Sequence, residues 1–412
     1  MDYFSYKDGK LFCEDVDLKK VAIECGTPCY VYSKKTLERH INVYKKSFKT
    51  KDNLICFSVK SLSNISILKL INDMGCGFDV VSGGELRRAL HIGANPKKII
   101  FSGVGKSYDE IVLGVQKEIL SFNIESESEI YRIEEIASLE NRTANLAIRF
   151  NPEIDSGGHE YIKTGRKGDK FGISTDESIL KIASYINKSE HLNLVGLACH
   201  IGSQILDLES YRLTARNIKD LSIKIKEIGA NLEFLDLGGG LGIPYINDKT
   251  PSPENLISII EEELKDIKEK IILEPGRSIS GNAGVLLTKV EYIKEKFLIV
   301  DTAMNDLLRP ALYGANHDIW NLKYSNPKDE LWTIVGPVCE SSDIIAKDHN
   351  INAEQGDILA IKTAGAYGFV MSSNYNSRLR CPEVLVDGEE FNIIRSRESF
   401  DDLIKNEASF YD

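Results

Sequence analysis

The sequence lacks long apolar runs and any sign of export. No stretch approaches the ~18 consecutive apolar residues of a membrane span. The N-terminal residues, Met1 to Lys7, lack the apolar core of a signal peptide. These absences predict a cytoplasmic protein with no membrane partner.

Paired cysteines and clustered histidines are also missing. The chain has eight cysteines but no Cys-x-x-Cys pair, and its seven histidines are scattered. This pattern predicts reduced, mostly buried thiols, as in cytosolic proteins. It also argues against a metal site, because no histidines stand at ligand spacing.

Positive charge is in deficit. Lys and Arg number 51 against 62 Asp and Glu, so the formal net charge is -11. Such a surface repels nucleic acid and anionic lipid, so we expect neither as a partner. A local phosphate pocket remains possible, because backbone amides alone can bind an anion.

A chain of 412 residues is expected to form two domains. Its middle part alternates short apolar segments with helical ones, which predicts a parallel sheet. The count and length favour a (β/α)₈ TIM-type barrel, and an open doubly wound sheet is the structural alternative. The longest connection, the fifth, carries a polar loop at 155–159. The predicted strands are 54–59, 77–81, 98–102, 118–123, 146–150, 194–199, 232–237 and 271–273.

The remaining sequence predicts a separate, discontinuous all-β domain. Strand-like segments follow position 280 with few long helices between them, and Asp387-Gly388 is typical of a hairpin turn. A second Asp-Gly hairpin near position 8 is expected to pair with this domain. We therefore assign 31–280 to the barrel, and 1–30 with 281–412 to the β-sheet domain. The predicted strands are 285–293, 297–301, 332–335, 358–362, 368–373, 383–386 and 391–394.

Polar residues follow several predicted barrel strands, at the end where barrel enzymes build their sites. Lys60 follows the first strand, and its amine would act as a nucleophile only in a dry site. Taken alone, Lys60 is more simply a solvated lysine. Asp79 ends the second strand. Arg149 ends the fifth and, if buried, would need a carboxylate or phosphate partner, for which Asp79 is available.

The last three strands add further polar groups. His200 and Ser203 follow the sixth strand, and a glycine-rich run, 238–242, follows the seventh. Consecutive glycines let the backbone approach an anion, although such loops also serve as tight turns. Glu274 ends the eighth strand and fits either a protonated ring nitrogen or a salt bridge to Arg277. His200 alone is more simply structural.

Together these groups match what pyridoxal 5'-phosphate (PLP) requires. The cofactor needs a Schiff-base lysine, a phosphate cup and a group that tunes the pyridine nitrogen. Lys60, the 238–242 loop and Glu274 supply this set around one barrel mouth.

The ordered motifs carry a family resemblance over nearly the whole length. The chain resembles the diaminopimelate decarboxylases, PLP enzymes of the alanine-racemase-like fold type. The motifs are Phe57-Ser58-Val59-Lys60, His200-Ile201-Gly202-Ser203-Gln204, Gly238-Gly239-Gly240-Leu241-Gly242, Glu274-Pro275-Gly276-Arg277, Arg309-Pro310-Ala311-Leu312-Tyr313, Cys339-Glu340-Ser341-Ser342-Asp343 and Gly365-Ala366-Tyr367-Gly368.

The resemblance implies roles for the motif residues. Lys60 would carry the cofactor, His200 would stack on its ring and Glu274 would pair with its ring nitrogen. Cys339 would donate a proton. The other implied cofactor-binding residues are Asp79, Ser203, Gly239, Gly240, Pro275, Gly276, Arg277 and Tyr367. The implied substrate-binding residues are Arg277, Arg309, Tyr313, Glu340 and Tyr367.

The resemblance also implies a reaction and an assembly. The expected reaction is decarboxylation of meso-diaminopimelate to L-lysine and CO₂ through a PLP external aldimine, the last step of lysine biosynthesis. The expected assembly is a homodimer whose active site receives the Cys339-Glu340 loop from the partner chain. One departure stands at the first motif, where the family usually has Ala-Asn after the lysine and this chain has Ser61-Leu62.

Three other functions remain open at this point. The chain could decarboxylate another amino acid or a carboxylated polyamine precursor. It could be a racemase that binds PLP without releasing CO₂. It could also be a non-catalytic relative that binds a protein, although retention of Lys60, His200, Glu274 and Cys339 argues against a scaffold.

Overall fold

The computed structural model describes residues 2–49, 52–154, 165, 168, 170–246, 248–326 and 330–408. The predicted polar loop at 155–159 lies outside the described residues. Contacts divide the chain into two compact units. The barrel unit comprises His40–Ile243 and Lys249–Ser278, and the β unit comprises Met1–Arg39, Pro244–Asp248 and Ile279–Asp412.

The barrel unit closes eight parallel strands into a barrel, because the last strand pairs with the first through Ile272 and Leu54. This closure confirms the predicted barrel over the open sheet. In chain order the strands, β1 to β8 here, are Leu54–Ser58, Gly77–Val80, Ile99–Phe101, Ser121–Ile124, Ala144–Arg149, Leu192–Ala198, Phe234–Asp236 and Lys270–Leu273.

Helices connect these strands, and most begin at a residue that satisfies a free backbone N–H. Side chains of Asn64, Ser82, Ser107, Ser126, Thr175 and Ser252 accept such hydrogen bonds at the helix starts. The helices are Ile65–Asp73, Gly83–His91, Tyr108–Lys117, Glu127–Leu139, Asp176–Ile186, Glu209–Glu227 and Pro253–Glu263. The sequence did not indicate the helix Asp176–Ile186.

The lower interior of the barrel is filled by side chains from six of its strands. The cluster consists of Cys56, Ile100, Ala147, Val195, Phe234 and Ile272. Gly196 makes room for Phe234, the largest side chain of the cluster, because a Cβ at position 196 would lie 2.4 Å from the Phe234 ring. A filled interior leaves polar side chains to the strand ends, as expected for this architecture.

The β unit is built on a nine-stranded mixed sheet. The long strand Gly284–Lys294 organises it by pairing with Cys29–Ser33, Phe297–Val300 and Ile358–Ile361. The other strands of this sheet are Ile319–Asn321, Leu331–Val335, Ile344–Asn350, Glu383–Asp387 and Glu390–Arg395. Short helices accompany it at Leu18–Cys25, Arg309–Tyr313 and Phe400–Ile404, and the helices Lys34–Ser47 and Arg277–Ser280 connect the two units along the chain.

Both Asp-Gly hairpins form, and the N-terminal one belongs to the β unit. Phe4–Lys7, Lys10–Cys13 and Val16–Asp17 make a three-stranded sheet of their own, and the bridge between Lys10 and Lys323 links it to the rest of the β unit. The N-terminal strand that enters the large sheet is Cys29–Ser33.

The predicted strand at 368–373 is wrong. Phe369–Met371 is a 3₁₀ turn, closed by a hydrogen bond from Met371 N to the Gly368 carbonyl oxygen at 3.0 Å. A short apolar run does not distinguish a strand from a tight turn. Within the described residues, no helix is both long and apolar enough to cross a bilayer.

Candidate active site

Lys60 lies just beyond β1, in a 3₁₀ turn formed by Val59–Ser61. Its Nζ is 2.7 Å from Oδ2 of Asp79, which is fully buried at the end of β2. Burial opposes ionisation of Asp79, but the charge and hydrogen bond of Lys60 outweigh it, so the pKa of Asp79 is lowered. The pair therefore holds the Lys60 side chain in place.

The partner of Arg149 is a carboxylate, but it belongs to Glu125 and not to Asp79. Arg149 Nη1 donates to Glu125 Oε1 at 2.8 Å, and its guanidinium lies 4.8 Å from the ring centroid of Phe171. Both members of the Arg149–Glu125 pair are nearly buried. Glu125 follows the adjacent strand β4, and no local sequence pattern indicates that this acid, rather than Asp79, reaches Arg149.

His200 follows β6 and is a neutral imidazole. Burial, reinforced by the positive charges of Lys60 and Arg149, lowers the pKa of His200 to about 3. Its Nδ1 accepts the backbone N–H of Gly239 at 3.3 Å, which leaves the proton on Nε2. A neutral, oriented ring at this position suits stacking against a flat aromatic cofactor.

The glycine loop after β7 can exist only without side chains. A Cβ on Gly239 would lie 2.1 Å from the Glu274 carbonyl oxygen, and one on Gly240 would lie 2.3 Å from the Gly202 carbonyl oxygen. Gly238 and Gly240 also have φ of +67° and +101°, which other residues rarely adopt. The loop is thus a tight backbone surface, of the kind that binds phosphate.

Ser203 and the segment after β8 complete this region. Arg277 is buried, and its Nη2 donates to Ser203 Oγ at 3.0 Å. A Cβ on Gly276 would lie 3.0 Å from both Ser58 and Ser61, and the carbonyl of Pro275 accepts from Ser58 N at 3.2 Å. These contacts place a buried guanidinium and a hydroxyl beside the close-packed backbone.

Two buried carboxyl groups stand at the tips of neighbouring strands. Glu274 follows β8, Asp236 ends β7, and their side chains hydrogen-bond to each other. Burial, together with the other carboxyl groups nearby, raises the pKa of Glu274 well above its usual range, and burial raises the pKa of Asp236 to about 7. The pair therefore keeps at least one proton near neutral pH.

A cavity of about 470 Å³ is lined by four of the residues described above. Lys60, Arg149, His200 and Glu274 line it together with Ser102, Gly103, Val104, Asn123 and Phe171. A larger cavity of about 720 Å³ lies at the opposite end of the barrel and is lined by residues such as Glu118, Arg142 and His191. It contains none of the predicted site residues, and barrel enzymes build their sites at the other end.

Two polar residues of the site were not anticipated. Ser58 Oγ lies 2.9 Å from Asp79 Oδ2 and 3.0 Å from the Glu274 carbonyl oxygen, so it joins the first, second and eighth strand ends. Asp236 belongs to the seventh. Each lies one residue before the end of its predicted strand, and that position was the available signal. Leu62, at the departure from the family motif, is buried.

The other predicted residues lie in the β unit. Arg309 begins the helix Arg309–Tyr313, and its guanidinium lies 5.4 Å from the ring centroid of Tyr245 and 5.6 Å from that of Tyr313. Cys339 and Glu340 are exposed on one loop. Tyr367 is partly buried, with a left-handed φ of 56°.

The residues of the barrel provide the groups that PLP needs. An amine at the cavity, a neutral imidazole, a proton-holding acid and a side-chain-free backbone surface are the groups that this cofactor needs. No cluster of His, Cys, Asp or Glu suited to a metal ion is found in the described part of the chain. The barrel and its cavity thus define a PLP-dependent enzyme.

Comparison with known proteins identifies the class and then the family. The family model described as pyridoxal-dependent decarboxylase, pyridoxal binding domain, matches residues 34–281. Diaminopimelate decarboxylase of Aquifex aeolicus is 44% identical over 98% of this chain and 97% of its own length. That of Haemophilus influenzae is 44% identical over 98% of each chain. The crystal structure of the Methanocaldococcus jannaschii enzyme with L-lysine matches with a TM-score of 0.94 at 38% identity, over 99% and 98% of the two chains. The chain belongs to the diaminopimelate decarboxylases.

Proposed function

We propose that this protein removes one carboxylate of meso-diaminopimelate as CO₂ and releases L-lysine, with PLP as cofactor. The observation that carries the proposal is Lys60, placed with a neutral His200 and a proton-holding Glu274 around one cavity. The full-length relatives favour diaminopimelate over another amino acid or a carboxylated polyamine precursor.

Each barrel residue has a distinct task in this reaction. Lys60 supplies the amine that attaches the cofactor, and Asp79 holds that amine in position. His200 would pack against the cofactor ring, and Glu274 would face the ring nitrogen. The amides of Gly239, Gly240 and Gly276, with Pro275, Ser203 and Arg277, would bind the phosphate. Once bound, PLP withdraws electrons from the substrate carbon so that the carboxylate can leave.

The substrate's far end is recognised by charge. Diaminopimelate carries a second amino-acid group that must stay intact. The guanidinium of Arg309, with Arg277, suits its carboxylate, and the carboxylate of Glu340 suits its ammonium. Tyr313 and Tyr367 contribute further contacts. Cys339 returns a proton to the carbon that has lost CO₂, acting as a general acid.

We further propose that the enzyme is a cytoplasmic homodimer that binds a small-molecule substrate and no nucleic acid. The Cys339-Glu340 loop of one copy would complete the active site of the other. The exposure of this loop supports the assembly, and the acidic net charge of -11 argues against nucleic acid.

The test is to incubate the purified protein with PLP and meso-diaminopimelate and to measure CO₂ and lysine together. We expect equal yields, and no product with Lys60→Ala. Ornithine, arginine and lysine serve as competing substrates. If one of these is decarboxylated faster, the substrate assignment is wrong. If CO₂ is absent while added amino acid racemises, the reaction class is wrong.

A further inference from the structure

A short segment of the β unit, residues 374–377, holds the Cys339-Glu340 loop through side-chain hydrogen bonds. Asn376 Oδ1 accepts the backbone N–H of Cys339 at 3.1 Å. The hydroxyl of Tyr375 donates to Glu340 Oε1, and Ser342 Oγ donates to Glu340 Oε2 at 3.0 Å. Both residues with proposed roles on this loop are thus contacted by the same neighbouring segment.

The backbone of the segment aims the Asn376 amide at the loop. Asn376 and Ser377 have φ of 56° and 55°, a left-handed conformation that Asn tolerates better than most residues. The turn is anchored on both sides: Asn374 Nδ2 donates to the Arg378 carbonyl oxygen at 3.0 Å, and Arg378 Nε donates to Asn305 Oδ1 at 2.9 Å. This backbone persists because its neighbours hold it.

The base of the loop is fixed separately. The carboxylate of Asp343 accepts the backbone N–H groups of Val338 at 2.8 Å and Met304 at 2.7 Å. Gly336 packs closely there, because a Cβ would lie 2.4 Å from Asp343 Oδ2. These contacts of the base do not involve the 374–377 segment. What that segment controls is the tip, Cys339 and Glu340.

The two hydroxyl groups also affect the charge of Glu340. Hydrogen bonds from Tyr375, first, and from Ser342 lower the pKa of Glu340, although the side chain is exposed. Because both oxygens accept a hydrogen bond, the carboxylate is held ionised and in one orientation. A fixed anion is what an ammonium group of a substrate requires.

We propose that Asn376 and Tyr375 are positioning residues for the reaction: Asn376 places Cys339 for proton donation, and Tyr375 orients the Glu340 carboxylate toward the ammonium at the substrate's uncleaved end. This inference rests on the proposed function. It adds a specificity element, because only substrates with an amino group at that end gain from an oriented Glu340.

Three substitutions at position 376 separate the hydrogen bond from the backbone conformation. Asn376→Asp keeps an acceptor and tolerates the left-handed turn, Asn376→Gly keeps only the turn, and Asn376→Ala keeps neither. We expect Asn376→Asp to retain nearly full kcat. In Asn376→Gly and Asn376→Ala, kcat should fall roughly tenfold, which is the effect of losing one ordinary hydrogen bond. Hydrogen exchange of the peptide containing Cys339 should quicken in Gly and Ala alone. If Gly behaves like Asp, only the backbone shape matters and the Asn376 assignment is wrong.

Tyr375→Phe tests the proposed role of Tyr375 in orienting the Glu340 carboxylate. We expect KM for diaminopimelate to rise roughly tenfold with kcat little changed. Combined with Glu340→Gln, the tyrosine change should add nothing further, because the oriented charge is already gone. The role of Tyr375 would be overturned if KM is unchanged in Tyr375→Phe. It would also be overturned if the two substitutions raise KM additively in the double variant.

Single variants of the loop tell the inference apart from the proposed function. Cys339→Ala should lower kcat strongly. If it leaves kcat unchanged, the role of Cys339 is wrong, and that of Asn376 falls with it. If Cys339→Ala loses activity but Asn376→Gly does not, the inference alone is overturned. For the other pair the measured quantity is KM. If Glu340→Gln leaves KM unchanged, the role of Glu340 is wrong; if Glu340→Gln raises KM but Tyr375→Phe does not, the inference about Tyr375 alone is overturned.

Discussion

The carboxyl groups of Asp236 and Glu274 are hydrogen-bonded to each other in the interior of the barrel. Asp236 Oδ1 accepts the backbone N–H of Gly238 at 2.9 Å, and the Asn123 side chain also hydrogen-bonds to the Asp236 carboxyl group. The hydrogen bond between the two carboxyl side chains requires one of them to be protonated. The pair links the glycine loop after β7 to the acid proposed to face the ring nitrogen.

This pair should make the cofactor-free protein less stable as pH rises from about 5 to 7. In the unfolded chain both carboxyl groups lose their protons near pH ~4. In the folded chain the pKa of Asp236 is about 7 and that of Glu274 is raised further. The folded state thus binds more protons across this range, and unfolding becomes easier by up to ~1.4 kcal/mol per pH unit for each proton retained.

Asp236→Asn isolates the effect. The amide can still accept from Gly238 and can donate to Glu274, but the pair no longer retains a shared proton. We expect a shallower fall in unfolding free energy between pH 5 and 7, measured by urea denaturation of the cofactor-free protein. Asp220→Asn, at an exposed position, is the control. The other ionisable groups facing the pair are Lys60, Asp79, Cys56 and Cys199. Equal slopes in wild type and Asp236→Asn would contradict the shared proton.

The glycine loop gives a prediction about cofactor binding. Gly239→Ala would place a Cβ 2.1 Å from the Glu274 carbonyl oxygen, so strand tips must move apart. We expect PLP affinity to fall by at least ~10-fold, since backbone shifts of this kind cost about 1–3 kcal/mol. Gly84→Ala, where a Cβ would meet Ser82 Oγ at an ordinary 3.7 Å, should bind PLP normally. Fluorescence titration of cofactor-free protein measures both, and normal affinity in Gly239→Ala would contradict the assignment of this loop.

A buried ion pair outside the proposed chemistry tests the barrel scaffold. Lys106 is almost fully buried, and its Nζ donates to Glu129 Oε1 at 2.6 Å and to the carbonyl oxygens of Gly103 and Asn123, each at 2.8 Å. Lys106→Met leaves the buried carboxylate unpaired and should cost about 3–5 kcal/mol of stability. Lys181→Met breaks the exposed pair with Glu127 and should cost under about 1 kcal/mol. Similar melting temperatures for the two variants would refute this contrast.

The sequence predicted the barrel well because its signals are local. Each strand is a short apolar run, and most helices begin at a capping side chain such as Ser107 or Ser252. In a closed parallel barrel the C-terminal ends of all strands lie at the same end. Lys60, His200 and Glu274, which follow three of these strands, therefore meet at one cavity.

The predictions that were wrong or missing concern contacts between residues that are distant in sequence. Arg149 selects Glu125 over Asp79 because Lys60 already occupies Asp79, and no local pattern encodes that competition. The proton shared by Asp236 and Glu274 likewise depends on burial at the tips of two strands. The Phe369–Met371 turn was mistaken for a strand because apolar residues alone do not specify backbone shape.

The last prediction concerns recognition of the substrate's uncleaved end. Arg309 is buried beside the rings of Tyr245 and Tyr313, so its guanidinium is held in a fixed plane. Arg309→Lys keeps the charge but loses the planar fork that a carboxylate binds with two hydrogen bonds. We expect KM for meso-diaminopimelate to rise ~10- to 100-fold in Arg309→Lys and by more in Arg309→Ala, since hydrogen bonds to charged groups contribute about 1.5–3 kcal/mol. The absorbance of bound PLP should stay unchanged in both variants, because the proposed cofactor contacts lie elsewhere. Steady-state kinetics settle the matter: an unchanged KM in Arg309→Ala would remove this residue from the substrate site.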